Sequence, residues 1–590
     1  MPHDKTDPGV AASGMKSAEA APERQPATSL PGVFVSRPAA ALLAVSIALT
    51  LAVYLWAYKM RSGIAVPDVA PIFHFLFVRF DFFGAMCGVL LLIAAAFVPA
   101  RFPAARVLEW IGNRPLQVAI VVTLACAMGT VFVYHDLRLS MDEYSPYFQS
   151  QAFAAGHLAG RFPTDILDAL VPPPFQNQFL AVSHVTGEVA SKYWPSFALL
   201  LTPFTWLGIA WACNALITGL TVLAVHRIAL RLFADRATAG LAVLLTVASP
   251  VILANGITYY SMPAHLLASA AFALLLMDPT PRRLLLAGLV GSIALTLHNP
   301  FPHFLFALPW IAWLCFQPHA VRNLGCLALG YLPLSALLGV GWHLYVAALS
   351  QAGVQAPPPG PTQFFFGFTL PDLNIVLARI MGMAKVVTWA VPVLLPLAVV
   401  GAWKARKDRF ILLFAASGLT TFAGYLFVVF DSGHGWGFRY FHSAWLCLPL
   451  LAVAAMPHLA TASASAAGDD APENPVRRFV VACASLTLCI GLPLRAAQMH
   501  EFTAYHIDQL PQPLPDGPRV VIVDPTYSFY GLDLVQNDPF LRGDEIRLLT
   551  FSPETNVALV RRLRPTFEQS LLSMRGEVWA PPRADPAANP

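Results

Sequence analysis

Charge is scarce in this chain. Asp, Glu, Lys and Arg make up 12% of its 590 residues, against about a quarter in ordinary soluble domains, which argues against a globule clothed in charged side chains. No CxxC pair occurs, and the eight cysteines (Cys87, Cys126, Cys213, Cys315, Cys326, Cys447, Cys483, Cys489) all lie within apolar segments. That pattern argues against a disulfide framework and against a zinc site. The first 38 residues hold no apolar run and no small-residue cleavage site behind one, so they read as a disordered cytoplasmic leader. No internal repeat or nucleic-acid motif is found, and the acidic "AGDDAPENP" at 467–475 reads as a solvated loop.

What the chain has in excess is apolar sequence, 57% of all residues. Stretches long enough to cross about 30 Å of hydrocarbon recur from 39 to 494. Hydropathy places spans near 39–58, 81–100, 116–134, 209–230, 237–253, 264–277, 284–298, 303–317, 324–347, 386–403, 410–430, 440–456 and 478–494, about thirteen helices. The expected fold is an all-α polytopic membrane domain over 39–494. With the N-terminus in the cytoplasm, the short inner loops hold Arg101, Arg106, Arg114, Arg227, Arg231, Arg236, Arg282, Arg283, Arg322, Lys404, Arg406, Lys407, Arg409, Arg477 and Arg478, as the positive-inside rule requires. A large loop at 135–208 and a tail at 495–590 then lie outside. "RVVIVD" (519–524) reads as a buried strand and "SPETNVALVRRL" (552–563) as a helix capped by Ser552, which makes the tail a small α/β domain facing the periplasm.

Four polar constellations fall on the outer face. In "SMDEYSPY" (140–147), Ser140 and Glu143 match a capping box, but Pro146 would then sit inside the helix at a cost of about 3 kcal/mol. Ser145 as cap with Pro146 first is the better register, leaving Asp142 and Glu143 in a turn before an amphipathic surface helix that ends near Gly156 or Gly160. "SKYWPSF" (191–197) puts Lys192 beside Tyr193 and Trp194, either an interfacial anchor or a cation reaching a phosphate. "HNPFPH" (298–303) leaves His298 and His303 facing water, in a tight loop or as substrate contacts and proton relays. In "DSGHGWGFRYFH" (431–442), Arg439 is crowded by Asp431, His434, Trp436, Tyr440 and His442, more polarity than a snorkelling anchor needs, and a phosphate or sugar site is favoured. The Pro-rich and Phe-rich loop at 348–373 either closes over a lipid or is an interfacial loop.

Together these residues resemble the GT-C superfamily of polyprenyl-phosphate-sugar-dependent glycosyltransferases, most closely the branch of the protein O-mannosyltransferases and the lipid A aminoarabinose transferase. The family's Asp-Glu pair in the first outer loop, with a following Tyr and a helix ending near Gly, is similar to Asp142, Glu143, Tyr144 or Tyr147, and Gly156. Its Lys, Tyr and Pro-rich segment is similar to "SKYWPSF", and its late Arg-Tyr loop to "GWGFRYFHSAWLCLPLL" (435–451). The resemblance spans roughly 116–456. It implies an enzyme moving a sugar, with inversion, from a polyprenyl-phosphate donor to a hydroxyl on a glycan, lipid or protein acceptor, and the Ala- and Pro-rich composition with no endoplasmic-reticulum retention signal points to a bacterial inner membrane. Asp142 would be the general base, and Arg439 with Lys192 would stabilise the departing phosphate. Glu143 would orient the acceptor, the sugar or a neighbouring cation. Asp142, Lys192 and Arg439 should then line one cavity. Paired carboxylates admit a divalent metal, but Asp-Glu alone is too few ligands to assign one. The rival readings are a transporter or flippase of lipid-linked saccharide, which should show inverted repeats and charged or broken helices near the midplane, and a polysaccharide polymerase or ligase, which places its large outer loop late.

Overall fold

In a computed structural model of the chain, residues 36–61, 71–99, 101–351, 370–428, 433–459 and 474–582 are described. Nearly all of the leader, most of the 348–373 loop and the acidic 467–475 stretch lie outside these residues, as does Asp431.

Among the described residues, seven helices are long and apolar enough to cross a membrane: Arg37–Arg61, Pro71–Ala96, Pro115–Phe132, Ala210–Phe233, Ala320–Gln351, Arg409–Phe427 and Pro475–Ile507. An eighth span is obtained if the bent pair Arg236–Val247 and Pro250–Gly256 is taken as one. The expectation of about thirteen spans is therefore wrong. Several of the surplus segments are apolar but short. Met262–Leu276, Phe301–Cys315 and Leu394–Lys404 run 10–17 residues, which at 1.5 Å per residue leaves each well short of 30 Å. Burial against protein neighbours accounts for the hydropathy of some of these segments, as in Met262–Leu276, where Leu266, Ala270, Phe272 and Ala273 are buried. Every residue of Cys447–Ala454 is buried, whereas only 17% of the best window of Ala320–Gln351 is.

The bent pair turns through 63° at Ala248 and Ser249. Pro250 lacks the amide that would continue the helix, and a residue before proline is pushed out of the helical region; Ser249 is extended, at φ −78° and ψ 111°. Inside the apolar helices, Asp81 is enclosed by cations and donors from two others. It accepts from Lys385 Nζ at 2.7 Å, Trp389 Nε1 at 2.6 Å, Thr388 Oγ1 at 3.0 Å and Arg495 Nη2 at 3.2 Å.

The 33-residue helix Pro475–Ile507 is roughly 50 Å long, more than a bilayer needs, and leads directly into the C-terminal domain. There a mixed four-stranded sheet has the order Glu545–Leu549, Arg519–Val523, Gly576–Ala580, Glu568–Ser573, with the first pair parallel and the others antiparallel. Val520 to Val523 are all buried, as the central position of their strand demands. Ser552 caps the helix Pro553–Leu563 by accepting from the Thr555 amide.

The first large loop folds onto this sheet. Its own three strands, Gly160–Arg161, Glu188–Ser191 and Leu180–Val182, are antiparallel in that order. Met141, Tyr144, Phe148, Leu180 and Val189 share one apolar cluster with Val520, Ile522, Leu548 and Trp579. Loop and tail thus lie on the same side of the spans and have a common core.

Candidate functional site

The helix Met141–Ala154 begins immediately after Ser140 and contains Pro146. The register that made Ser145 the cap is therefore overturned. Pro146 cannot donate to the Asp142 carbonyl, and tertiary bonds around it offset that loss. Tyr144 donates its hydroxyl to the Asn537 carbonyl at 2.6 Å and accepts from the Asn537 amide at 2.8 Å, and Ser145 Oγ donates to the Phe179 carbonyl at 2.9 Å. Nor is this a surface helix, since Tyr144, Ser145, Phe148, Gln149 and Ser150 are all buried. It closes just before Gly156, whose φ of +80° is the left-handed conformation glycine tolerates. Neither bond of the capping box forms, since Ser140 makes no cap bond and Glu143 takes the amide one residue before Ser140. Glu143 Oε2 accepts from the Leu139 amide at 3.2 Å, while the Ser140 hydroxyl turns to Tyr260 at 3.0 Å.

Successive helical residues project about 100° apart, so Asp142 and Glu143 face different partners. Asp142 Oδ2 accepts from Arg439 Nη2 at 2.7 Å, and Oδ1 accepts from the Tyr193 hydroxyl. The Arg439 guanidinium lies 4.3 Å over the Tyr260 ring, and the Tyr193 ring centre lies 3.9 Å from that of His298. Burial works to raise the Asp142 carboxyl, but Arg439, His298 and Tyr193 hold it below the usual carboxylate range. Burial pushes His298 down to about 4 in spite of Asp142, so its ring is neutral near pH 7. Both partners of the ion pair keep some exposure, 15% for the Arg439 side chain and 18% for that of Asp142.

A glycine hairpin delivers Arg439. His434–Gly435 pairs with Gly437–Phe438 around Trp436, and Arg439 follows directly, its amide donating to the Gly433 carbonyl at 2.7 Å. Gly437 has φ +90°, and a Cβ there would come within 2.5 Å of Val251 on the bent pair. The same hairpin braces Glu143. Trp436 Nε1 donates to the Tyr134 hydroxyl at 3.3 Å, which donates to Glu143 Oε1 at 2.7 Å. Glu143 is fully enclosed, and burial pushes it up to about 8 against the Tyr134 and Leu139 donors and Arg439. It is placed to tie the helix to the hairpin, with neither oxygen open to an acceptor or sugar.

Of the residues singled out in the sequence, Asp142, Tyr193, His298 and Arg439 converge. Lys192, Tyr440, His434 and His303 do not join them. Lys192 follows the chain to the site but is exposed and donates its ammonium to the Asn177 carbonyl. Tyr440 stacks on Tyr425 at 4.2 Å, with Arg379 4.9 Å over its ring. His434 is buried against Phe73, at 5.5 Å between ring centres. His298 and His303 were expected to face water, and neither stands free in it. His298 is half-buried beneath Tyr193, and His303 is buried on Phe301–Cys315, paired with the Tyr331 hydroxyl at 2.7 Å. His303 instead lines an apolar groove of about 410 Å³ with Leu295, Phe304, Ala307 and Tyr331. Tyr134 and Tyr260 were missed in the sequence, although each ends an apolar run beside polar residues, Tyr134 before His135 and Asp136 and Tyr260 between Tyr259 and Ser261, which is the signal that could have found them. Asp81 had one too, an acid at the edge of a predicted span. Among the described residues no group of three or more His, Cys, Asp or Glu side chains is placed to hold a metal, and both oxygens of Asp142 are already occupied.

Neither a protein-family profile nor a curated protein sequence matches the chain. Solved structures do resemble it. ArnT from Cupriavidus metallidurans bound to undecaprenyl phosphate matches at 13% identity over 78% of this chain and 97% of that one, with a TM-score of 0.46. The same protein in the apo state matches at 13% identity over the same shares, with a TM-score of 0.43. Neither likeness supplies a residue role here.

Proposed function

We propose that the chain is a membrane glycosyltransferase that moves a sugar from a polyprenyl-phosphate donor to an acceptor hydroxyl on the outer face, with Asp142 as general base. The observation that carries this reading is the Asp142–Arg439 pair itself, two residues 297 positions apart meeting at 2.7 Å in a half-open setting. A carboxylate, a guanidinium and a phenol in contact are the groups such a transfer uses. The donor phosphate competes with Asp142 for Arg439, which can grip it through two parallel hydrogen bonds. Once the guanidinium turns to the phosphate, Asp142 loses the partner that lowers its basicity. It takes the proton of the acceptor hydroxyl as that oxygen bonds to the anomeric carbon. The bond from that carbon to the phosphate oxygen breaks, and its electron pair leaves with the polyprenyl phosphate, stabilised by Arg439. Tyr193, donating to the other Asp142 oxygen, holds the carboxylate in place throughout.

Asp142→Asn in the full chain, reconstituted in a bilayer with a polyprenyl-phosphate sugar, should lose turnover by about 10² to 10⁴-fold while its melting temperature stays near that of the unmodified chain. Full turnover in that variant would end the proposal.

Two observations favour a second reading, a flippase of lipid-linked saccharide: charges within apolar helices around Asp81, and the helix pair bent by 63°. The Asp81 cluster is closed to solvent on every side chain, which supports transfer over transport. Movement of a labelled lipid-linked sugar across vesicles that survives Asp142→Asn would favour the flippase.

A further inference from the structure

The C-terminal domain reaches into the site. The Met141 amide, first in the helix that bears Asp142, donates at 3.1 Å to Asp533 Oδ1, from a residue 392 positions away. Ser140 stands where a cap normally comes from, but it makes no cap bond and has its hydroxyl on Tyr260. An acceptor at the first amide, one residue from Asp142, sets the turn from which that side chain projects.

Asp533 is not an isolated contact. Gln536 Nε2 donates to the Arg138 carbonyl at 2.6 Å, just ahead of the helix, and Arg161 donates its amide to the Pro539 carbonyl at 2.8 Å. Asn537, which clasps Tyr144, is itself pinned to the sheet. Its Nδ2 donates to the Arg547 carbonyl at 2.8 Å, and its Oδ1 accepts from the Arg547 amide at 2.9 Å. A rigid strand therefore holds the segment that holds the helix.

We propose that Asp533 is a positioning residue for Asp142, a helix cap supplied in trans by the C-terminal domain. What Asp142 does in this proposal rests on the glycosyl-transfer reading; where Asp142 is held does not. Burial pushes the Asp533 carboxyl up to about 7, against the Met141 amide, and the Asp142 charge pushes the same way. The cap therefore works chiefly as an oxygen acceptor aimed at one amide, and an asparagine can supply the same oxygen.

The test uses the full chain in a bilayer, with two readouts on Asp533→Ala and Asp533→Asn. Hydrogen exchange in the peptide covering 138–146 reports the cap, and turnover of a polyprenyl-phosphate sugar reports its consequence. Asp533→Ala should speed exchange at Met141 and lower kcat at least tenfold with KM within about twofold, since small misplacements of reacting groups cost on the order of 10²-fold. Asp533→Asn should restore both to within about threefold. Unchanged Met141 exchange in Asp533→Ala, or an Asp533→Asn variant as impaired as Asp533→Ala, overturns the proposal. If Asp533→Ala does not fold, Asp533→Glu, which moves the acceptor oxygen by one methylene, is read the same way. Were the unmodified chain to turn over no donor, the glycosyl-transfer reading would fail while the exchange comparison still decided the cap.

Discussion

Asp81 and Asp142 are both aspartates held by an arginine, and they differ in how far each pair is closed to solvent. Asp81 meets Lys385 and Arg495 with side-chain exposures of 1%, 0% and 2%, and Trp389 and Thr388 also donate to it. Asp142 meets Arg439 with exposures of 18% and 15%, and its other oxygen carries one tyrosine. The first arrangement is saturated and closed, so its charges join helices from distant parts of the chain. The second keeps partial exposure on both partners, as the proposed competition of an anion for the guanidinium requires. Lys385 also donates to the Gly435 carbonyl at 3.2 Å, so the closed cluster steadies the hairpin that presents Arg439.

Breaking the closed cluster should have the larger effect. Asp81→Asn leaves Lys385 and Arg495 buried without a counter-charge, a loss of about 3–5 kcal/mol, and should appear as loss of monodisperse folded protein in detergent. Lys385→Met, which keeps Asp81 paired with Arg495, should cost visibly less. At the open pair, Arg439→Ala removes a charge-assisted hydrogen bond worth about 1.5–3 kcal/mol. Polyprenyl phosphate binding should weaken roughly ten- to hundredfold, with a smaller loss of melting temperature than in Asp81→Asn. The smallest effect concerns pH. The folded value of His298, about 4, lies below its ordinary 6.5, so the unfolded chain binds the extra proton between these values. The stability this contributes is complete above 6.5 and is lost as pH falls toward 4. Comparing melting at pH 7.5 and 4.5, His298→Asn should show a shallower fall, by on the order of 1 kcal/mol after allowance for its partial exposure.

The contrast also explains what could be read in the sequence. Asp142 and Arg439 were legible because each sits in a polar cluster beside an apolar run, an expense a membrane chain rarely bears without use. Their meeting was legible only through the family resemblance, since no local signal links positions 297 apart. The spans were overcounted because hydropathy responds to apolar side chains without distinguishing lipid from protein neighbours, as Cys447–Ala454 shows. Pro146 misplaced the helix start because its cost is local, whereas the bonds from Asn537, Phe179 and Asp533 that offset it come from far along the chain. Lys192 beside Tyr193 and Trp194 reads as an interfacial anchor or a phosphate contact, the second being what the resemblance implies, and its ammonium is found on the Asn177 carbonyl.

The central claim is that Asp142 and a lipid phosphate compete for Arg439. Its most direct test is polyprenyl phosphate affinity of the Asp142→Asn chain in a bilayer, measured alongside donor turnover. The account predicts binding several-fold tighter than in the unmodified chain, because Arg439 is released, together with loss of transfer. Weaker binding, or turnover at the unmodified rate, would contradict it.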